Sequence, residues 1–204
     1  MDTLKKILLG IAAFFILNAG YAQDNVIKAF KESYKLEKEG KYEDALKAVK
    51  SVYKESSYEI NLRAGWLAYL SGKFTESIAY YNNAVNKYPL SVEARLGLVL
   101  PLSAMGNWNQ IIEHYNKILS VDPQNSLVNY RMGVIYYERK QYDKAESYLK
   151  KVINLYPFDH NTLLMLGWVK LQQGNYSQAK LLFNKTLMSN PDDASAKQGL
   201  SLIK

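Results

Sequence analysis

Apolar positions beyond residue 25 recur in short one-sided stripes that are separated by turns. In one stripe, Ala145, Leu149 and Val152 follow each other at spacings of four and three residues. Such spacing places the three side chains on one face of an amphipathic helix, because a helix turns every ~3.6 residues. The same three positions recur in four other stripes: Ala45, Val49 and Val52; Ser77, Tyr81 and Ala84; Ile111, Tyr115 and Ile118; Ala179, Phe183 and Thr186. The pattern predicts an all-α fold.

Four equally spaced prolines divide this pattern into periods. Each proline is followed, two residues later, by a side chain whose oxygen can accept a hydrogen bond at the start of a helix. A proline disfavours helix at the residue before it, and the capping oxygen satisfies an orphan N–H group. The prolines are Pro89, Pro123, Pro157 and Pro191; the capping residues are Ser91, Asn125, Asp159 and Asp193, with Ser57 one period earlier. Each period therefore predicts two helices, a stop and a new cap.

A second signal lies inside each period, where the first helix must end. Glycine occupies this position in every period except the fourth, where Lys140 stands; glycine permits the left-handed backbone of a helix C-cap at little cost. Seven residues earlier, small side chains predict close helix crossings, although Val99 breaks the rule in the third period. The turn glycines are Gly40, Gly72, Gly106 and Gly174; the small residues are Ser33, Gly65, Gly133 and Gly167.

These motifs resemble the tetratricopeptide repeat, whose pattern is W-x2-L-G-x2-Y, A-x3-F and P. The matching residues are Met132-Gly133-x2-Tyr136, Ala145-x3-Leu149 and Pro157, and then Leu166-Gly167, Ala179-x3-Phe183 and Pro191. The resemblance implies a right-handed α-solenoid of about five helix-turn-helix repeats plus a C-terminal capping helix. The expected bounds are 26–57, 58–91, 92–125, 126–159 and 160–193 for the repeats and 194–203 for the capping helix.

Two local departures from the pattern carry expectations of their own. Gly72 follows Gly40 two residues sooner than the period requires, so we expect a shorter connection between the first and second repeats. Pro101 falls inside the first helix of the third repeat. Because proline lacks the N–H that would face the Gly97 carbonyl, we expect a local kink there.

Residues 1–22 have the three-part layout of a secretory signal peptide. Lys5 and Lys6 precede the apolar stretch ILLGIAAFFIL, and Gly20 and Ala22 supply small residues at a cleavage site. An uncleaved membrane anchor is the alternative, but this stretch is shorter than the ~20 residues that span a bilayer. We therefore expect export, most simply to a bacterial periplasm, and a mature repeat array over residues 23–204 without stable membrane insertion.

Composition narrows the chemistry that the chain can perform. It contains no Cys, which excludes disulfides and thiolate chemistry, and its two His residues, His114 and His160, lack a metal-binding spacing. The net charge of +7 comes from Lys and Arg residues that are interleaved with Asp and Glu. Because the sequence has no focused basic patch, it does not predict nucleic-acid binding. We expect no catalytic residues, no cofactor and no metal.

The repeat register also predicts which side chains line the concave face formed by the first helices, where ligands of the resembled family usually bind. Positions five, nine and twelve after each cap are mostly apolar or aromatic, which favours a groove for a protein or peptide segment. The alternative interpretation is that some of these residues belong to the hydrophobic core. The predicted groove residues are Phe30, Tyr34, Leu62, Trp66, Tyr69, Leu96, Leu100, Tyr130, Val134, Tyr137, Leu164 and Trp168.

Charged residues near this face are few. The Lys, Asn and Arg clamp with which some members of the family hold a terminal carboxylate is absent, since apolar residues occupy the matching positions in the first two repeats. Arg63, Arg95 and Arg131 lie nearby, and we expect them to be solvated at the surface.

The sequence therefore predicts an exported, non-enzymatic scaffold or adaptor. Two alternatives stay open at this point. The first is a structural component of the cell envelope that assembles with copies of itself. The second is an undetected catalytic or carbohydrate-binding site that uses some of the 17 Tyr residues.

Overall fold

A computed structural model describes residues 23–203, and within that range every regular element is an α-helix. The signal-peptide prediction concerns residues 1–22, which lie outside the described residues. Helix α1 covers residues 23–38, and the later helices are α2 (Tyr42–Lys50), α3 (Tyr58–Leu70), α4 (Phe74–Lys87), α5 (Val92–Ala104), α6 (Trp108–Val121), α7 (Ser126–Glu138), α8 (Tyr142–Leu155), α9 (His160–Gln172), α10 (Tyr176–Ser189) and α11 (Ala194–Ser201). The all-α prediction is confirmed.

The chain divides into two compact units, one ending at Ile111 and the other beginning at Ile112. In unit 1 the helices pack as hairpins in which α3 lies against α4, and α4 against α5. In unit 2 the pairs α7 with α8 and α9 with α10 form the same kind of hairpin, and α11 packs on α9 and α10. Helix α11 is therefore the C-terminal capping helix that the sequence predicted.

The capping residues that follow the period all act as predicted. The side chain of Ser91 accepts a hydrogen bond from the Ala94 N–H at 3.0 Å, and Asp159 accepts from Thr162 at 2.8 Å. Each bond satisfies a backbone donor that the first turn of a helix leaves without an intrahelical partner. Ser57, Asn125 and Asp193 cap α3, α7 and α11 in the same manner.

The turn inside each hairpin also has the predicted left-handed residue. The four turn glycines have φ between +71° and +74°, and Lys140 adopts φ of +58° in the slot that lacks glycine. The Lys73 N–H donates to the Ala68 carbonyl, five residues earlier, at 2.8 Å. This hydrogen bond is typical of a Schellman motif at a helix C-terminus. The register deduced from the sequence is thus the register of the helices.

Several helix crossings are close because a glycine faces a large side chain. In unit 1 the ring of Tyr81 lies between Gly65 and Gly97, and a Cβ added at Gly65 would come within 2.9 Å of it. In unit 2 the ring of Phe183 lies between Gly167 and Gly199 in the same way. The sequence predicted the crossings at Gly65 and Gly167, whereas those at Gly97 and Gly199 are additional.

The first repeat differs from the others in its second helix, not in a shorter connection. Helix α2 has 9 residues whereas α4 has 14, and the segment from residue 51 to 57 that follows α2 is longer than the segment from residue 88 to 91 after α4. The predicted short connection is therefore wrong. After Lys50 the chain continues through turns at residues 51–52 and 55–56 before α3 begins.

Pro101 lies inside α5, which continues from Val92 to Ala104, and its ring is buried. The kink expected at this proline stays a prediction.

Candidate binding face

The predicted groove residues of unit 1 come from the first helices of three hairpins. They share partial exposure: Tyr34 on α1 is 52% exposed, and the others are half-buried. The Trp66 and Tyr69 rings lie 5.8 Å apart on α3, and Phe30 meets Tyr34 edge-on at 6.5 Å. The half-buried members are Phe30, Leu62, Trp66, Tyr69, Leu96 and Leu100.

An ion pair sits beneath these aromatic rings. Arg63 is only 6% exposed, and its Nη1 lies 2.5 Å from Oε2 of Glu37 while its Nε donates to Ser33 at 3.0 Å. The guanidinium carbon lies 3.8 Å from the centre of the Tyr34 ring, and the Trp66 indole N–H donates to Oε1 of Glu37 at 2.7 Å. The expectation that Arg63 is solvated at the surface is therefore wrong.

The charge on Glu37 is held by its neighbours. Burial raises the pKa of this carboxyl, but hydrogen bonds from Trp66 and Arg63, together with the charge of Arg63, outweigh burial and lower it. The carboxylate and the guanidinium therefore neutralise each other within unit 1. Sequence reasoning missed this pair because residues 37 and 63 lie on different helices: Glu37 is at position twelve of its repeat, whereas Arg63 is at position six, one residue past the groove position Leu62.

In unit 2 the predicted residues lie on α7 and α9 and are all half-buried: Tyr130, Val134, Tyr137, Leu164 and Trp168. The Tyr137 ring lies 5.7 Å from Tyr142, and burial raises the pKa of the Tyr130 and Tyr137 hydroxyls. Both tyrosines therefore stay neutral at physiological pH and act as apolar surfaces with a polar tip.

Trp168 is tied to the packing of unit 2 more firmly than its register position implies. Its ring meets Phe183 edge-on at 5.4 Å, and its indole N–H donates to Ser195 on the capping helix at 2.9 Å. Trp66 is likewise packed on the core cluster of unit 1. Each tryptophan thus has a structural role beside any role in binding, as the alternative interpretation of these positions held.

Neither metal-binding clusters nor spanning helices emerge from the described part of the chain. No group of three or more His, Asp or Glu side chains among residues 23–203 is placed to hold a metal ion. Over the same range, no helix is both long enough and apolar enough to cross a bilayer.

The fold and the repeated turn and cap geometry define a protein built of stacked helical hairpins. Tetratricopeptide repeat family models match residues 30–92, 62–100 and 124–187, which together cover more than half of the chain. The chain belongs to the tetratricopeptide repeat family. Members of this family commonly serve as scaffolds for protein–protein interaction.

Two curated relatives are distant in sequence and much longer than this chain. It is 30% identical over 154 residues to the human protein O-mannosyl-transferase TMTC1, a match that covers 72% of this chain and 17% of the relative. It is 24% identical over 163 residues to the bovine BBSome complex member BBS4, covering 76% of this chain and 31% of the relative. The chain thus spans less than a third of either protein.

Solved structures give the same fold. A tetratricopeptide repeat protein from Parabacteroides merdae superposes with a TM-score of 0.78 at 18% identity, covering 88% of this chain and 72% of the other. MamA from Desulfovibrio magneticus superposes with a TM-score of 0.71 at 16% identity, covering 84% of this chain and 98% of the other.

Proposed function

We propose that the protein is an exported, non-enzymatic scaffold that binds a protein or peptide segment on the face formed by its first helices. The observation that carries the proposal is the row of partly exposed aromatic and aliphatic side chains at the register positions of that face. Each unit contributes its own set, with Tyr34 the most exposed member in unit 1.

The chemistry of the face favours a partner with apolar anchors. Tyrosine and tryptophan dominate the energetics of protein interfaces, because each buries a large area and keeps a polar tip for a hydrogen bond. In unit 1 the nearest charges, Glu37 and Arg63, already neutralise each other. A partner that presents an acidic terminus gains little from this pair, whereas an amphipathic helix or an extended segment with apolar side chains fits the rings.

Export is the second part of the proposal, and it depends on residues 1–22 alone. Purification of the protein from its native cell envelope, followed by intact mass measurement, tests it. A chain that begins at Gln23 supports signal cleavage after Ala22. A chain that retains residues 1–22 in the membrane fraction supports the uncleaved anchor and contradicts the proposal.

Site-specific photo-crosslinking tests the binding face. A photoreactive phenylalanine analogue replaces Tyr34 in unit 1 or Tyr137 in unit 2, and the cells are irradiated before the envelope is extracted. Tyr176 is the matched control, because it is also an exposed tyrosine, at 52%, but begins a second helix.

The expected result is a discrete adduct, identified by mass spectrometry, from the first-helix positions and none from the control. Adducts of equal yield from Tyr176, or no adduct from either test position, would contradict the proposed face. Adducts that contain only a second copy of this chain would replace it with self-assembly.

A further inference from the structure

A cavity of about 340 Å³ opens at one edge of unit 2, between the start of α7, the end of α8 and the start of α9. Its apolar wall includes Leu127 and Tyr156, which are 48% and 55% exposed, together with half-buried Tyr130. Its polar wall includes Asp159 and Thr162, and Ser126 lies at its rim. The volume falls at the small end of the range for ligand pockets, ~300–1,000 Å³.

The equivalent place in unit 1 is filled by a tyrosine of the chain itself. Tyr58, Tyr88 and Ser91 are the counterparts, two repeats earlier, of Ser126, Tyr156 and Asp159. The Tyr58 ring meets Tyr88 edge-on at 4.9 Å, and its hydroxyl lies 2.6 Å from Oγ of Ser91, the cap of the next helix, and donates to Oε2 of Glu93 at 3.1 Å. In unit 2 the small side chain of Ser126 replaces that ring.

The last repeat fills the same place with another ring. His160, one repeat after Ser126, brings Nε2 to within 2.9 Å of Oδ2 of Asp193, the cap of α11. Asp193 divides its two oxygens, because Oδ1 accepts the Ala196 N–H while Oδ2 faces the imidazole. In these two repeats a ring from the first helical position therefore reaches the next cap, whereas Val92 holds that position in the third repeat.

At the open position, Oδ1 of Asp159 caps its helix as Oδ1 of Asp193 does. Oδ1 of Asp159 accepts hydrogen bonds from both the N–H and the hydroxyl of Thr162, at 2.8 and 2.6 Å. If Asp159 follows Asp193, its Oδ2 is the atom that would accept a hydrogen bond from a ring-bound donor. A charge-assisted bond of this kind is about twice as strong as a neutral one.

We propose that this cavity is a binding slot for an aromatic side chain that carries a hydrogen-bond donor, above all a tyrosine, presented by the bound partner segment. The partner's ring occupies the place that Tyr58 takes in unit 1, packs edge-on against Tyr156 and donates its hydroxyl proton to Asp159. This inference rests on the proposed function, because the tyrosine belongs to the segment that the first-helix face binds.

Nuclear magnetic resonance titration of the purified protein with N-acetyl-tyrosinamide tests the slot. The probe is expected to shift the backbone amide signals of Leu127 and Thr162, saturably and in the millimolar range, and N-acetyl-phenylalaninamide is expected to bind at least threefold more weakly. N-acetyl-alaninamide is the control without a ring. Equal binding of all three probes, or no shift with the tyrosine probe, would overturn the proposal.

Variants at Ser126 separate the slot from the rest of the surface. Ser126→Tyr is expected to fill the cavity as Tyr58 fills its counterpart and to weaken the probe at least tenfold, whereas Ser126→Ala leaves the slot open and binding unchanged. Asp159→Asn retains a capping side chain and is expected to remove the preference for the tyrosine probe over the phenylalanine probe. If Ser126→Tyr does not fold, Tyr156→Ala supplies the second test, because loss of the ring wall is expected to weaken the probe.

The two proposals fail separately. Probe binding at the slot without crosslinks from Tyr34 or Tyr137 refutes the first-helix face as the binding site and leaves the chemistry of the slot intact. Crosslinks from those positions without probe binding refute the slot alone.

Discussion

Replacement of Glu146 by Gln is expected to remove a large part of the stability of unit 2. Oε2 of Glu146 lies 2.6 Å from the ammonium of Lys170 and accepts from the Gln173 amide at 3.0 Å, while Oε1 lies 2.7 Å from Lys150. The side chains of Glu146 and Lys170 are only 14% and 12% exposed. The network joins α8 to α9, so its loss loosens one repeat from the next.

The magnitude follows from the pKa of the carboxyl. Burial raises the pKa of Glu146, but hydrogen bonds from Lys150, Lys170 and Gln173, with the charge of Lys170, outweigh it and lower the pKa from 4.5 to about 2. At ~1.4 kcal/mol per pKa unit, this difference corresponds to a contribution of about 3 kcal/mol. Because the folded pKa is the lower one, the contribution is complete above about pH 5 and is lost as the pH falls toward 2.

Urea denaturation followed by circular dichroism, repeated between pH 2 and pH 7, measures this contribution. Glu146→Gln is expected to lower the free energy of unfolding by about 3 kcal/mol at pH 7, and the difference from wild type is expected to vanish near pH 2. The control is Asp44→Asn, whose partner Lys47 lies 2.9 Å away in a fully exposed pair. A pH-independent difference, or a loss no larger than that of the control, would refute the reasoning.

Three further substitutions test the packing. Gly97→Ala is expected to lower the free energy of unfolding by about 1–3 kcal/mol in the same urea assay, because the added Cβ would overlap the Tyr81 ring; no loss would contradict that crossing. Lys140→Gly is expected to raise the melting temperature, by relief of about 1 kcal/mol of left-handed strain at φ of +58°; a lower melting temperature would contradict it. Arg63→Met alone is expected to cost about 3 kcal/mol, while Arg63→Met combined with Glu37→Leu recovers most of the loss; additive losses would show that the buried pair is uncoupled.

The sequence was sufficient for the repeat register because each boundary has a local chemical cause. Ser91 and Asp159 cap a helix through their own side chains, and Gly72 turns the chain through its own backbone freedom. The signal at Gly97 and Gly199 was present but overlooked. Each follows another crossing glycine at the same spacing, and the two glycines of a pair face the same ring.

The interactions that the sequence did not predict are those that depend on the exact place of a long side chain. Arg63 was expected at the surface, yet its guanidinium reaches Glu37 on another helix and lies against the Tyr34 ring. The slot beside Ser126 is visible only when Tyr58 is seen to fill its counterpart. Periodicity identifies the face on which a side chain lies, but the space around it depends on residues from neighbouring repeats.

The affinity of the partner segment identified by crosslinking tests the central claim most directly. Isothermal titration would compare the wild type with Tyr34→Ala, Tyr137→Ala and the control Tyr176→Ala. The account predicts that at least one of the two first-helix variants loses about 2 kcal/mol of binding free energy, which is a roughly thirtyfold higher dissociation constant. The control is predicted to bind as the wild type does. Wild-type affinity in both first-helix variants, with correct folding, would contradict the claim that this face binds the partner.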